Sequence, residues 1–569
     1  MHFPAAEPRK SLYYNYQVFP HYHGASSETA DDQTVTVVGA GPIGMTAALL
    51  LAKQGVKVIL MSAELQLSEG SRALVYTKRS MEILQAAGAA EGIMTKALPW
   101  THGNSIYKGQ IAFRMASPVN EHDQFAPLNN LQQNWLEHFL LEAIHKQPNI
   151  EVRWGNKVVD HEQADDQVTL SIETPEGVYQ HIAKWVVAAD GGRSPIRERM
   201  KLRMEGASYE GRFVIADIRI KLDYPTERLA YFSPDWNPGN TILMHREPDS
   251  IWRFDYQLDP AVSPEEALLP ENLHKAVNDQ LKMIGKDHLE WEMDWSTVYS
   301  ARALTLDNYV HNRIIFAGDA AHLLPIFGVR GANTGFQDAQ DLAWKLAAVV
   351  KGWAAEKLLE SYSCDRVGAA REIIAEAGKS TRFMAPPTEG YRLLRNAVLS
   401  LSLEHEFVRP LYHWRTSRPH AYTHSPLNSQ NDDNAQMSEL TENGALIPNL
   451  KFADGDYLYN AISGKFTVLA LTEHGQLPAQ LQPEIQALKA QGVSVQIIAL
   501  AQDGVTVNGA DKTFMIEENI AAERLYAQTG AIYLVRPGHH INGRWMTYRE
   551  NAITQTFQQF LQAAEGAAA

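Results

Sequence analysis

Residues Thr34 to Glu64 read TVTVVGAGPIGMTAALLLAKQGVKVILMSAE. Thr34 to Val38 is a short β-branched run, the composition of a buried strand. Gly39, Gly41 and Gly44 follow in the spacing G-x-G-x-x-G, and a helix through Met45, Leu49 and Leu50 runs to Gln54, where Gly55 stops it. Val56 to Met61 is a second strand, and Glu64 stands at its end, 20 residues beyond Gly44. Dinucleotide binding asks for this layout. The first glycine makes a tight turn, the second lets backbone approach a pyrophosphate, the third lets helix pack on strand, and the acid accepts ribose hydroxyls. An acid rather than an arginine at that position argues against a 2′-phosphate here.

Far downstream, Arg313 to Lys345 reads RIIFAGDAAHLLPIFGVRGANTGFQDAQDLAWK. Arg313 to Ala317 has strand character and ends at Gly318 and Asp319. A loop with Pro325, Gly328, Gly331 and Gly335 follows. Apolar residues at Phe336, Ala339, Leu342, Ala343, Leu346 and Val350 then recur at helical spacing. An aspartate leaving a strand accepts sugar hydroxyls, and a helix N-terminus favours negative charge. Between these stretches Trp185 to Ala189 is an apolar strand closed by Asp190 and Gly191, and Arg193, Ser194, Pro195 and Arg197 open a helix. Alone, that is an ordinary turn. Another helix is expected over Asn134 to Ile144, preceded by Gln133.

From Phe213 to Tyr299 the texture changes to short alternating runs, FVIADIRIKL, LAYFS, TILMH and IWRFDYQL. They predict an antiparallel sheet with one half-buried face, inserted into the dinucleotide fold as a substrate-facing layer. Thr381 to Arg418 reads as mainly helical. Pro419 to Gly444 is polar and poor in large apolar residues, the composition of a linker. FTVLAL, VSVQIIAL and AIYLVRP then read as strands of a second, small α/β domain.

Composition bounds the function. Of 569 residues 45% are hydrophobic and 21% charged, an ordinary globular balance, and the formal charge of −15 argues against a general nucleic-acid binder. The one cysteine, Cys364, excludes an internal disulfide, a CxxC pair and a thiolate metal cluster. It is expected late in a helix as buried packing, and it fits a reducing cytoplasm, the expected location. The first 33 residues carry proline, charge and histidine where a secretory signal would be apolar, and no stretch reaches the ~18 apolar residues of a membrane span, so no membrane partner is expected. That aromatic-rich extension is expected to wrap the body or a partner subunit. The 21 histidines are scattered, the adjacent His539 and His540 read as solvated loop residues, and no metal site is expected.

Three separated motifs now stand in order: G-x-G-x-x-G at Gly39–Gly44, D-G-x-x-S-x-x-R at Asp190–Arg197, and G-D-A-A-H-x-x-P at Gly318–Pro325, which continues into G-A-N-T-G-F-Q-D-A. Together with LLESYSCDR they resemble the FAD-dependent aromatic hydroxylases related to p-hydroxybenzoate hydroxylase, over about residues 34 to 370. The C-terminal part, ending in YLVRPGHHINGRW, looks like the thioredoxin-like tail of the phenol hydroxylase and 3-(3-hydroxyphenyl)propionate hydroxylase branch. The resemblance implies an α/β fold: a Rossmann-like FAD-binding domain with an inserted mixed or antiparallel substrate sheet, plus a thioredoxin-like C-terminal domain. The corresponding segments are a 1–33 extension, 34–200 and 301–418 for the FAD-binding domain, 201–300 for the insertion, 419–444 as linker and 445–569 as the tail. Without CxxC the tail cannot do thioredoxin chemistry. In that branch it supports assembly, and a homodimer is one arrangement left open.

The resemblance also implies roles. Gly39, Gly41 and Gly44 hold the ADP pyrophosphate and Glu64 the adenosine ribose. Arg72, Gln133 and Asp190 match FAD-contacting positions. Asp319 accepts a ribityl hydroxyl, Pro325 lies beside the flavin ring, and Gly331, Ala332 and Asn333 present backbone to its pyrimidine end. Ile326 and Asp341 depart from the residues usual in the family. FAD is the implied cofactor, NADPH or NADH the transient electron donor, and O₂ and a phenol the substrates, hydroxylated through a C4a-hydroperoxyflavin. No second G-x-G-x-x-G is present, so the nicotinamide donor has no dedicated domain.

A base or cation is expected near the phenol hydroxyl. The candidates are His245, Arg253 and Tyr256, with Tyr231 before them. Arg253 and Tyr256 lie three apart in a strand, so at most one of the two faces the flavin. His322 reads as structural, and Arg330 is open between neutralising the flavin and an ordinary ion pair. Competing readings are substituent displacement, epoxidation or N-hydroxylation on the same fold, and a non-catalytic flavin-binding protein.

Overall fold

The run Thr34–Val38 is buried at every position and forms the centre of a six-stranded sheet. Its order is Val310–His311, Ile314–Phe316, Trp185–Ala188, Thr34–Val38, Lys57–Met61 and Ile150–Arg153. All pairings are parallel except the first. Ala188 is in register with both Val38 and Phe316. Three strands therefore end together, and Gly39, Asp190 and Asp319 leave the sheet along one edge. Ligands of open parallel sheets bind at such carboxyl ends. Helices Pro42–Lys53 and Gly331–Val350 pack against each other beside this edge. This computed structural model describes all residues except 24–26, 326, 413–417, 503–504, 518, 559–560 and 562–569, with side chains also left out at 208–210 and 301. Ile326 thus lies outside the described residues.

The second sheet has eight strands, ordered His322–Leu323, Glu292–Thr305, Glu205–Arg219, Ile251–Leu258, Thr241–Arg246, Arg228–Phe232, His102–Tyr107 and Gln110–Ala116. It is mixed, because Arg228–Phe232 pairs in parallel with His102–Tyr107. The sheet therefore draws two strands from earlier in the chain than the alternating runs suggested. HGNSIY carries no period-two alternation that would have revealed it. In Ile251–Leu258 the alternation decides the two faces. Trp252, Phe254, Tyr256 and Leu258 join Leu273, Val277 and Leu281 of the helix Pro270–Met283 in one apolar core. Arg253, Asp255 and Gln257 consequently face the flavin-domain side.

The N-terminal extension wraps this chain's own body. Tyr14 and Tyr16 are buried, the Tyr13 hydroxyl donates to Asn134 Oδ1 at 3.1 Å, and Phe19 stacks on Trp154 at 4.5 Å. Ser11 Oγ donates to Asp294 Oδ1 at 3.0 Å, which ties the strap to the second sheet. Among the described residues no helix is long and apolar enough to cross a membrane.

Several expectations need correction. The polar stretch 419–444 is not a loose linker: Ser429 and Asp433 donate backbone N–H groups to Asn542 and Arg544 carbonyls, and Asn428 Oδ1 accepts from buried Arg536 at 2.6 Å. Its polar side chains satisfy the edge of the C-terminal sheet instead of solvating a tether. That sheet has the order Lys512–Met515, Val495–Ala501, Phe466–Thr472, Ile532–Val535, Ile541–Trp545. His539 and His540 are buried rather than solvated: His539 stacks on Tyr459 at 4.1 Å with Nδ1 3.0 Å from Arg79 Nη1, and His540 stacks on Tyr422 at 4.2 Å. Cys364 is exposed, not packed, and sits early in the helix Leu358–Met384. Asp341 is buried and binds Lys345 Nζ at 2.7 Å; Lys345 also meets Asp365 at 3.0 Å, and Asp365 meets Arg536 of the C-terminal domain at 3.2 Å. An asparagine would leave that network short of one negative charge.

Candidate active site

At the dinucleotide end the glycines separate into two kinds. A Cβ on Gly39 would lie 2.3 Å from Ala189 O, and one on Gly44 1.8 Å from Gly39 O, so both are demanded by the approach of strand and helix. Gly41 is different: a Cβ there would meet nothing within 4 Å. The fold does not need that glycine, whereas a phosphate seated on the helix N-terminus does. Glu64 follows with its side chain 46% exposed, 3.5 Å from Arg9 of the strap. Arg72 is also exposed. Gln133, at the start of the helix Gln133–His145, is buried: its Oε1 accepts from Ala73 N at 3.1 Å, and its Nε2 donates to Glu137 at 2.8 Å. It thereby fixes the loop that carries Arg72.

The two downstream motifs are physically joined. Ser194 caps its short helix, and Arg197 donates to Gly192 O at 2.7 Å and to Ala320 O at 2.9 Å. Asp190 accepts from Ile196 N at 3.4 Å through Oδ2, while buried Oδ1 has no partner, and burial pushes its pKa up to about 6. Asp338 clamps the other side: it accepts from Gly318 N at 3.0 Å, from Arg366 Nε at 2.6 Å, and pairs with His322 Nε2 at 2.7 Å. The Tyr362 hydroxyl adds a bond to Phe316 O at 2.8 Å. LLESYSCDR is thus the brace of the G-D loop, and His322 is structural. Asp319 alone in this stretch is exposed, and desolvation raises the pKa of its carboxyl.

Pro325 is buried in the loop before the helix Gly331–Val350. Asn333 holds that loop in place: Oδ1 accepts from Thr77 N at 2.9 Å and Ser80 Oγ at 2.6 Å, and Nδ2 donates to Val75 O at 2.8 Å and Val329 O at 2.6 Å. Its side chain is fully used, so only backbone of Gly331, Ala332 and Asn333 remains for a ligand. A Cβ on Gly331 would also meet nothing within 4 Å. Arg330 donates through Nε to Phe327 O at 3.2 Å. Open backbone at Gly41 and Gly331, an orphaned Asp190 oxygen and an exposed Asp319 lie along one sheet edge. This set fits FAD, with phosphate, sugar and ring each offered suitable partners.

The inner face of the second sheet divides the base candidates. Tyr256 lies on the outer face against Trp236, with ring centroids 5.7 Å apart, and Tyr231 is in the same core; neither reaches the flavin side. Both are withdrawn as substrate bases. Arg253 is on the inner face but is engaged: Nε and Nη2 each bind Asp217 at 2.8 Å, and the guanidinium also donates to the carbonyls of Ser71 and Arg72. It positions the Arg72 loop. Beside it Glu247 is buried with Oε1 3.4 Å from Arg253 Nε, and burial with Asp217 nearby pushes its pKa well up.

His245 remains. It is buried, its Nδ1 has no partner, and its Nε2 is 4.0 Å from Asp255 Oδ2. Burial, together with Arg228 and Arg253, holds it well below the usual histidine pKa, so the imidazole is neutral. Asp255 is buried and pushed up to about 7 by desolvation. The Tyr299 hydroxyl is buried without a partner, and its ring stacks on Phe213 at 5.7 Å. Phe213 meets Phe327 of the flavin loop edge-on at 5.2 Å. Asp255, Tyr299 and Arg228 were not singled out from sequence. For Asp255 a signal existed: Arg253, Asp255 and Gln257 are the polar members of an otherwise apolar strand at period two.

Residues 32–377 match the family model for the FAD binding domain. Among curated proteins, the 3-(3-hydroxy-phenyl)propionate/3-hydroxycinnamic acid hydroxylase of Shigella sonnei (strain Ss046) is 28% identical over 365 residues, which are 64% of this chain and 64% of that one. The match therefore spans less than two thirds of the relative. Among solved structures, the flavin-dependent monooxygenase PieE in complex with FAD and substrate aligns with a TM-score of 0.73 at 20% identity, over 92% of this chain and 99% of that one. The p-nitrophenol 4-monooxygenase PnpA from Pseudomonas putida DLL-E4 aligns with a TM-score of 0.58 at 26% identity, over 69% of this chain and 100% of that one.

Proposed function

The chain belongs to the FAD binding domain family, and on that premise we propose that it is an NAD(P)H-dependent flavoprotein monooxygenase that hydroxylates a phenolic aromatic ring. The observation that supports this reading is the set of buried polar groups of His245, Asp255 and Tyr299 on the sheet face that packs, through Phe213, against Phe327 of the flavin loop. A chamber of phenylalanines suits a flat ring, and a few unpartnered polar atoms suit its hydroxyl.

FAD, when bound, would take a hydride from NAD(P)H and, once reduced, activate O₂ for transfer of one oxygen atom to the ring. Gly39, Gly41, Gly44, Glu64, Arg72, Gln133, Asp190, Asp319, Pro325, Gly331, Ala332 and Asn333 are assigned to holding it. The helix N-terminus at Gly331 favours the negative charge of a reduced flavin by about 0.3–2 kcal/mol. His245 Nδ1, neutral and open, accepts a hydrogen bond from the phenol and relays its proton to Asp255, which lies beside the opposite ring nitrogen with a pKa of about 7. Arg228 places a buried positive charge near the same imidazole. The phenolate so formed is the more nucleophilic ring. Phe213 and Phe327 exclude water from the chamber.

The likeness to the p-nitrophenol 4-monooxygenase supports a second reading, in which a ring substituent is displaced rather than a hydrogen. One panel of substituted phenols tests both. NADPH and NADH oxidation, oxygen uptake and product mass are followed together. Stimulated oxidation with a product heavier by one oxygen supports hydroxylation, and loss of a substituent mass supports displacement. No stimulation by any phenol refutes the enzyme reading.

A further inference from the structure

The N-terminal strap carries a cluster that the flavin site does not use. Its end reads His21-Tyr22-His23. The Tyr22 ring lies under the Arg153 guanidinium at 4.3 Å, and Tyr22 N donates to Trp154 O at 2.9 Å. The histidines on either side both reach Glu176 instead, as alternate residues of an extended segment do. Glu176 Oε1 is 3.2 Å from His21 Nε2 and 2.6 Å from His23 Nδ1. The two imidazole centroids are 4.3 Å apart.

Both sides of the cluster are held from behind. Gly155 has φ +70°, and a Cβ there would lie 3.0 Å from His21 Cβ, so the turn after Trp154 presses on the strap. Phe19, just before, stacks on Trp154 and donates its N–H to Leu65 O at 2.8 Å. Glu176 stands in the turn between the strands Val168–Thr174 and Gly177–Ala183, where its N–H donates to Thr174 Oγ1 at 3.2 Å. The side-chain ends stay open to water: His21 is 28% exposed, Glu176 53% and His23 67%. Exposed pairs of this kind stabilise a fold little, so folding does not account for two imidazoles converging on one carboxylate oxygen.

Two imidazole nitrogens and a carboxylate oxygen are the donors of a borderline cation. Each of the three residues offers one such atom, and these atoms lie within 4.8 Å of one another. Two ligands bound at ~2.0–2.1 Å stand at most about 4.2 Å apart, so a small rotation of the exposed side chains closes the set. An ionised carboxylate only accepts, so each imidazole presents an N–H to Glu176. When a cation takes that place, the two protons pass through water to the opposite ring nitrogens, and the freed lone pairs face the ion.

We propose that His21, His23 and Glu176 form a surface site for a divalent transition metal of the zinc class, which fastens the end of the strap to the hairpin that carries Glu176. Three protein ligands leave the fourth position to water. Two imidazoles select zinc, nickel or copper over magnesium and calcium, which take oxygen ligands. None of the three residues is assigned to FAD or to the phenol, so the site stands apart from the hydroxylase reading. The sequence showed half of it, since Glu176 is 153 residues from His23.

The test uses full-length, FAD-loaded protein without an affinity tag, stripped of metal and titrated with Zn²⁺ against a chromophoric chelator. The wild type should bind one Zn²⁺ more tightly than any further equivalent, and excess Mg²⁺ or Ca²⁺ should not displace it. Loss of an outer partner of a metal ligand costs about 10- to 100-fold in affinity, and His23→Gln and Glu176→Gln, which remove ligands, should each cost no less. FAD content and the metal-free unfolding midpoint should be the same in all three proteins, because the changed side chains are exposed. With Cu²⁺ in place of Zn²⁺, electron paramagnetic resonance should count one coordinated nitrogen fewer in His23→Gln than in the wild type. Absence of a tight site in the wild type, displacement by Mg²⁺ or Ca²⁺, or an affinity or nitrogen count untouched in the variants would overturn the assignment.

Discussion

Replacement of Gly41 by alanine separates cofactor binding from folding. Gly41 has φ −83° and ψ −178°, extended backbone that alanine adopts without strain. Its new Cβ would meet no atom within 4 Å. Restricting the unfolded chain stabilises by about 0.4–1 kcal/mol. Alanine is a poorer N-cap than glycine, which costs on the order of 0.5–1 kcal/mol. The two effects nearly cancel, so the apoprotein should change by less than ~1 kcal/mol. FAD should suffer instead, because the methyl group occupies the space where backbone meets pyrophosphate. Losing one charge-assisted hydrogen bond costs about 1.5–3 kcal/mol, which is roughly a 10- to 150-fold weaker affinity. Urea unfolding of the apoprotein by tryptophan fluorescence measures the first quantity, and flavin fluorescence quenching the second. Gly44→Ala is the contrast: with Gly39 O only 1.8 Å from its Cβ, it should destabilise the apoprotein by about 3 kcal/mol. An unchanged FAD affinity in Gly41→Ala, or a destabilisation matching Gly44→Ala, would refute the distinction.

Other expectations follow from the clamps and the chamber. Asp319→Ala should lose FAD on purification while the apoprotein stays folded, since the residue is exposed; full flavin occupancy would remove it from the ribityl role. Glu64→Ala should weaken FAD more mildly, and an unchanged affinity would exclude its contact with the ribose. His322→Ala strips one partner from the fully buried Asp338 and should destabilise by about 3–5 kcal/mol in urea; a loss below ~1 kcal/mol would show the clamp to be dispensable. Asp255 has a folded pKa near 7, above its unfolded value near 4, so its contribution falls as pH rises between those values. Asp255→Asn should therefore gain stability over the wild type from pH 4 to 7 and lose any rising limb of kcat/KM near pH 7. A pH-independent difference in urea midpoint would contradict that assignment.

The dinucleotide unit was legible because each of its parts is local: strand, turn, helix and acid lie within Thr34–Glu64, and neighbouring residues determine their structure. The motif Asp190–Arg197, taken alone, was legible as a turn and a helix start, and its bond from Arg197 to Ala320 was not, since that bond spans 123 residues. Tyr256 was a natural candidate by residue type. The side it takes depends on which face the helix Pro270–Met283 covers, and single-strand alternation does not say which face that is. His539 and His540 misled for a related reason: two adjacent imidazoles in a loop read as solvated, and Arg79, Tyr422 and Tyr459, far away in sequence, bury them. The inner face of the second sheet is assembled from strands out of chain order, so its composition was not visible in any one segment.

The N-terminal strap has a consequence for the order of events during synthesis. Ser11 finds Asp294 across 283 residues, and Tyr13 finds Asn134 across 121. The strap thus finds its place only after residues as far along as Asp294 have been made. Its Arg9 then closes on Glu64. Cutting the strap's tie to Asp294 would therefore loosen a contact that spans 283 residues while leaving the pairings within each sheet in place.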